Sequence, residues 1–180
     1  MVRLNAKQLR VSLPSEEDLK SIQHKPIWIV LDNVLDTYNI GGIFRLAEAI
    51  AASEVILCGG SETPPSSRIH KAAVGTEMWV PWRYEADART AILNIKEQIP
   101  NIKIIAVEQD ENAIPISKVK ALVSNDQPIA IVVGHETDGV SADALKMADV
   151  IAEIPMWGVN KSLNVIVSTA IAAYQLTCRE

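Results

Sequence analysis

The sequence predicts an α/β domain, with about six strands in a mostly parallel sheet and helices on both faces. Three observations carry that expectation. From residue 27 onward, short β-branched runs alternate with longer segments of helical period. Most strand candidates are continuously apolar instead of alternating, as strands covered on both faces must be. A chain of 180 residues at 48% hydrophobic content has material for one core and too little for two.

The elements follow in order. Ser15-Glu16-Glu17-Asp18 offers a hydroxyl cap followed by acids, so a leading helix is expected over 15–23. Residues 1–14, polar and closed by Pro14, read as an arm or a poorly ordered stretch. The chain then divides into an N-terminal extension over 1–25 and a main domain over 26–180. Strands are expected at 27–31, 54–57, 78–81, 103–107, 129–133 and 150–154, and no edge strand stands out. Helices are expected at 42–51, 67–74, 85–99, 142–147 and 163–178. Residues 59–66 and 109–115 carry turn residues and read as loops.

Composition excludes several classes. With 17 Lys+Arg against 22 Asp+Glu the net charge is -5, so any nucleic-acid contact must come from a local patch. No apolar run is long enough to span a membrane, because the best one, 162–177, contains Asn164, Ser168 and Thr169. The first residues lack an apolar signal region, which places the chain in the cytoplasm as an expectation. Cys58 and Cys178 stand far apart with no Cys/His cluster, arguing against a disulfide framework and against a metal site. Cys58 reads as core. Neither glycine-rich nucleotide fingerprint is present, so dinucleotide and P-loop readings fall.

Ligands of such sheets gather at the carboxyl ends of strands, and three segments there are unusual. The first runs from Asp32 through Asn39, Gly41 and Gly42 to Arg45. Its glycine pair permits a close backbone approach, and Arg45, expected in the first turns of a helix, opposes the macrodipole unless it meets an anion. The plain alternative is a salt bridge from Arg45 to Asp32 or Asp36. The second is Gly134-His135-Glu136-Thr137-Asp138-Gly139-Val140-Ser141, where Ser141 can cap a helix. His135 invites a general-base reading, yet no nucleophile elbow accompanies it and hydrolase chemistry ranks low. The third runs from Ile154-Pro155-Met156 to Ser162-Leu163-Asn164-Val165, with Ser162 as the expected cap. Asn164 in the first turn of an apolar helix needs a hydrogen-bond partner.

Together these segments closely resemble the three motifs of the SpoU branch, also called the TrmH branch, of the SPOUT methyltransferase superfamily. They match as Asn39-x-Gly41-x-Ile43-x-Arg45, as Gly134-x-Glu136-x-x-Gly139-x-Ser141, and as Ile154-Pro155-Met156 followed by Ser162-Leu163-Asn164-Val165. Each is weak alone, but three in order, each after a strand, are strong. The resemblance covers about 26–178 and implies a C-terminal trefoil knot that binds S-adenosylmethionine. It also implies a homodimer whose site draws on both subunits, acting on a ribose 2'-hydroxyl of structured RNA, tRNA or rRNA, with no metal. By position, it places Val107, Gly134, Ile154, Met156, Ser162 and Leu163 at the cofactor. Arg45 then falls at the methyl-accepting ribose, with Asn39, Glu136 and Asn164 ordering the loops.

The chain departs from the family pattern at four places. His135 and Thr137 stand where Asn and Gly are frequent, Ala51 where a Gly commonly ends the helix, and Ile166 where Ser is frequent. Two rival readings remain: a catalytically silent cofactor-binding module docking to a ribonucleoprotein, and methylation of a protein or small molecule.

Overall fold

The computed structural model describes residues 6–9, 13–124 and 126–177. Seven strands form one sheet: β1 (Lys25–Asp32), β2 (Ala52–Cys58), β3 (Trp82–Glu85), β4 (Lys103–Val107), β5 (Ile114–Pro115), β6 (Ile129–Gly134) and β7 (Val150–Glu153). Their order is β3-β2-β1-β6-β4-β7-β5, and every pairing is parallel. The eight described helices are α1 (Ala6–Leu9), α2 (Glu16–Lys20), α3 (Thr37–Ala49), α4 (Ser67–Ala73), α5 (Ala88–Gln98), α6 (Ile116–Val119), α7 (Ala142–Met147) and α8 (Val165–Thr177).

Alternate residues of the same strands feed two cores. Ile29, Leu31, Val55, Leu57, Ile131 and Val133 pack with α3, α4, α6 and α8. Val30, Ile56, Cys58, Ala130 and Val132 pack with α5 and α7. Both faces are therefore dry, which is why the strands read as unbroken apolar runs. Cys58 is core as expected, and burial, with the nearby charges of Asp32, Glu85 and Asp87 adding to it, pushes its thiol up to about 12. Cys178 lies outside the described residues.

Four expectations need correction. The sheet has seven strands, because Ile114–Pro115 adds an edge strand of two residues inside the stretch read as a loop. Residues 78–81 are not a strand. Gly75, with φ +86°, opens a single 3-10 turn at Thr76–Met78, and the strand follows at Trp82–Glu85. There Arg83 pairs with Glu54 and Glu85, so the edge is polar and hid from a search for apolar runs. The first long helix starts at Thr37, where the Asp36 carboxylate accepts from the Tyr38 N–H, and not at 42. The last begins at Val165, one residue past Asn164, and Ser162 does not cap it. Other limits moved by a few residues: α5 runs Ala88–Gln98 from an Asp87 cap, and α2 keeps its Ser15 cap but spans only Glu16–Lys20. Most of the expected arm lies outside the described residues.

Among the described residues, no helix is long and apolar enough to cross a membrane, and no cluster of metal-ligating side chains occurs.

Candidate active site

The strand order reverses between β1 and β6, and the loops leaving β4, β6 and β7 at their carboxyl ends enclose a cavity of about 560 Å³. Val107, Gly134, Glu136, Ile154, Met156, Ser162, Leu163 and Asn164 all line it, so eight of the ten sequence-derived site residues meet there.

Asn39 stands behind the wall and ties it together. The Asn164 side-chain amide donates to Asn39 Oδ1 at 3.0 Å, and Asn39 Nδ2 donates to Glu136 Oε1 at 2.8 Å. Asn164 Oδ1 accepts from the Ile166 N–H at 2.9 Å, so this side chain is itself the cap of α8. Glu136 further accepts from the N–H groups of Leu35 at 3.2 Å and Asp36 at 3.1 Å. A carboxylate only accepts, so it fixes the Asn39 amide orientation, which in turn fixes that of Asn164. One chain of hydrogen bonds thus joins the loops after β1, β6 and β7. Burial pushes the Glu136 carboxyl up, but the bonds from Asn39 and the backbone N–H groups outweigh it and hold the group below its ordinary value.

The loop after β6 closes on itself. His135 and Gly139 exchange two backbone hydrogen bonds at 3.0 Å, and His135 Nδ1 accepts from the N–H groups of Thr137 and Asp138, both at 3.1 Å. Asp138 Oδ2 also lies 3.4 Å from that nitrogen, but a ring nitrogen accepting two N–H bonds is not the protonated one. The imidazole is thereby a loop staple, which disposes of the general-base reading. Gly134 is required for packing, since a Cβ there would enter the backbone of Gly139 and Val140.

Sequence reasoning missed Glu108. It follows β4 and lines the cavity, and its carboxylate accepts from Val140 N–H at 2.7 Å and Gln109 N–H at 2.8 Å, joining two loops. Its signal was its place just after a strand, the rule used for the other three segments. Asp32, buried at the end of β1, accepts from Ser141 N–H at 2.8 Å and from Asn33.

Arg45 is not in this cavity. It is the ninth residue of α3, well away from the helix N-terminus, so the macrodipole argument for it does not hold. Nor does it form the salt bridge to Asp32 or Asp36, whose carboxylates serve Ser141 and the α3 cap. Exposed, it lines a second cavity of about 480 Å³ with Gly42, Ala72, Thr76 and Ile166. The glycine pair before it serves helix packing. A Cβ on Gly41 would lie 2.6 Å from Ala72 Cβ and 2.7 Å from the Ile69 carbonyl oxygen, and one on Gly42 would enter the Ile166 side chain.

An all-parallel sheet with its cavity built from three strand-end motifs defines a single-domain α/β protein with its ligand site at the carboxyl ends of the strands. The family model for the SpoU rRNA Methylase family matches residues 26–174, and the chain belongs to that family. It is 34% identical over 148 residues to an uncharacterised tRNA/rRNA methyltransferase of Mycobacterium tuberculosis, covering 82% of this chain and 50% of the relative. It is 29% identical over 150 residues to the tRNA (guanosine(18)-2'-O)-methyltransferase of Escherichia coli K12, covering 82% of this chain and 61% of that one. The chain thus spans about half to three-fifths of the length of these relatives. In fold it is similar to an rRNA methyltransferase of Sinorhizobium meliloti solved with AdoMet bound. That likeness has a TM-score of 0.74 at 23% identity and covers 93% of this chain and 59% of the other.

Proposed function

We propose that this protein uses S-adenosylmethionine to methylate a ribose 2'-hydroxyl of structured RNA, tRNA or rRNA. The observation that carries the reading is the hydrogen-bonded chain Glu136–Asn39–Asn164, which joins three motif loops around one cavity. The cavity suits the cofactor. Val107, Val133, Ile154, Met156 and Leu163 offer apolar surface to a flat heterocycle, while Glu136 and Asp138 oppose a cation and Lys161 a carboxylate. Apart from helices and strands, no described backbone–backbone hydrogen bond involves residues 154–163; the Ser162 N–H donates to Asn160 Oδ1 at 3.3 Å, and the other amides and carbonyls of that loop carry no described hydrogen bond. The bound sulfonium supplies an already activated methyl group.

The remaining work falls to positioning and deprotonation of a weakly nucleophilic hydroxyl. A guanidinium stays protonated, so Arg45 serves best as an anchor for an RNA phosphate at the accepting ribose. Because Arg45 lies outside its own chain's cavity, we assign it to the cavity of a partner copy in a homodimer. The C-terminal knot, the division at residue 26 and a cytoplasmic setting belong to the same proposal.

Calorimetry with S-adenosylmethionine, followed by transfer of labelled methyl to total RNA beside a small-molecule panel, tests the reading. The expected result is label in RNA that is lost in Arg45→Ala at unchanged melting temperature. Cofactor binding without RNA labelling would establish the catalytically silent module instead.

A further inference from the structure

The outer side of the α3–α4 pair carries charge that the fold does not use. Arg45 on α3 and Arg68 and Lys71 on α4 are exposed, and among the described residues none of them forms an ion pair. Elsewhere the paired cations are used locally: Lys20 with Glu16, Arg83 with Glu54 and Glu85, Lys96 with Asp149, Lys146 with Asp143.

The placement works against α4 itself. Arg68 is the second residue of a helix with no acid in its first turn, where a cation opposes the macrodipole; Lys71, in the last turn, suits the dipole but sets a like charge three residues from Arg68. Nearby acids answer these charges only in part: Glu48 feels the Arg45 charge, and no acid makes an ion pair with Arg68 or Lys71 among the described residues. Glu77 is buried and bonded to His70 at 2.6 Å, and Glu48, one turn past Arg45, forms no ion pair with it.

The platform is rigid. Ile69 and Ala73 anchor α4 in the core, and Gly41 lets Ala72 close onto α3. Arg68 stands one turn before Ala72 on its face of α4, and Arg45 one turn after Gly41 on its face of α3. The cations therefore flank the contact between the two helices.

We propose that Arg68 and Lys71 form a docking track for the sugar-phosphate backbone of the substrate RNA, beyond the nucleotide that is methylated. The inference rests on the RNA reading above and adds the surface that holds the rest of the substrate. In a chain of net charge -5 this local patch supplies the positive field that RNA binding requires.

The test measures binding of labelled bulk tRNA and bulk rRNA by the full chain between 50 mM and 1 M salt. It compares wild type, Arg68→Gln/Lys71→Gln, and a control, Arg89→Gln/Lys146→Gln, on α5 and α7 across the sheet. Each lost phosphate contact should lower the slope of log K against log salt by about 0.7–0.9. The double variant should therefore bind roughly 70–200-fold more weakly at 50 mM salt and converge with wild type at 1 M. Its melting temperature and cofactor binding should match wild type, and the control should bind as wild type does. Wild-type affinity and slope in the double variant, or an equal loss in the control, would overturn the track while leaving RNA methylation standing. A wild-type protein that neither binds nor methylates RNA would overturn the RNA reading and the track with it.

Discussion

Ala51 closes α3 with φ +52°, the left-handed conformation that a residue with a Cβ adopts at a cost. That explains the glycine frequent at this position in the family. Ala51→Gly should stabilise the protein by about 0.5–1 kcal/mol, read as a raised urea midpoint at unchanged slope. Asn39 invites the opposite change. Asn39→Ala would take one hydrogen bond from Glu136 and the acceptor from the Asn164 amide N–H, at a cost of roughly 1–3 kcal/mol and with weaker cofactor binding, measured by melting and calorimetry. Glu136 sets a pH dependence whose sign is definite. Its carboxyl is held below the ordinary value near 4.5 in the folded chain, so its contribution is present above that pH. It is lost as pH falls through the lowered value. Glu136→Gln should flatten that part of an acid-melting profile. The cavity residues named from the sequence were legible through the resemblance of three strand-end motifs to a known family. Glu108 was passed over although it too follows a strand, because a lone acid without a motif around it shows its role only once Val140 is seen donating to it.

The start of α3 shows where reading elements from sequence runs out. Asp36 is a good cap, but Gly41 and Gly42 count against a helix interior, and the expected start fell at Gly42, five residues late. Contact decides otherwise: only glycine lets the Ile69 carbonyl and Ala72 approach so closely. Gly41→Ala, which propensity would favour, should therefore destabilise the protein by about 1–3 kcal/mol in urea unfolding as α4 is forced outward. The same override explains the misplaced third strand, since burial of Val80 imitates a strand residue while the ladder itself is carried by polar Arg83 and its neighbours. The central strands were legible because burial on both faces leaves one kind of sequence. Edge strands are free of that constraint, and β5 with its proline was invisible for the same reason.

At the scale of the whole molecule, one helix remains unfinished. Val167, Ile171 and Tyr174 recur at helical spacing on α8 and stay exposed, with Trp157 and Val159 on the preceding loop. We propose that this patch packs against its own copy in a two-fold dimer, as the proposed duty of Arg45 requires. Ile171→Asp/Tyr174→Asp should sediment as a monomer and lose RNA methylation while still binding S-adenosylmethionine. Whether the site is shared has its own test. Arg45→Ala and Leu163→Arg, a substitution that fills the cavity, should each be inactive alone. Coexpressed, half of the dimers are mixed, and each mixed dimer joins one intact cavity to one intact Arg45, so about a quarter of wild-type activity should return by the statistics of random two-fold pairing. If Arg45 served its own chain's cavity, every site in the mixed dimer would carry a defect and no activity would return. Restoration therefore distinguishes a shared site from two independent ones without any structure of the dimer.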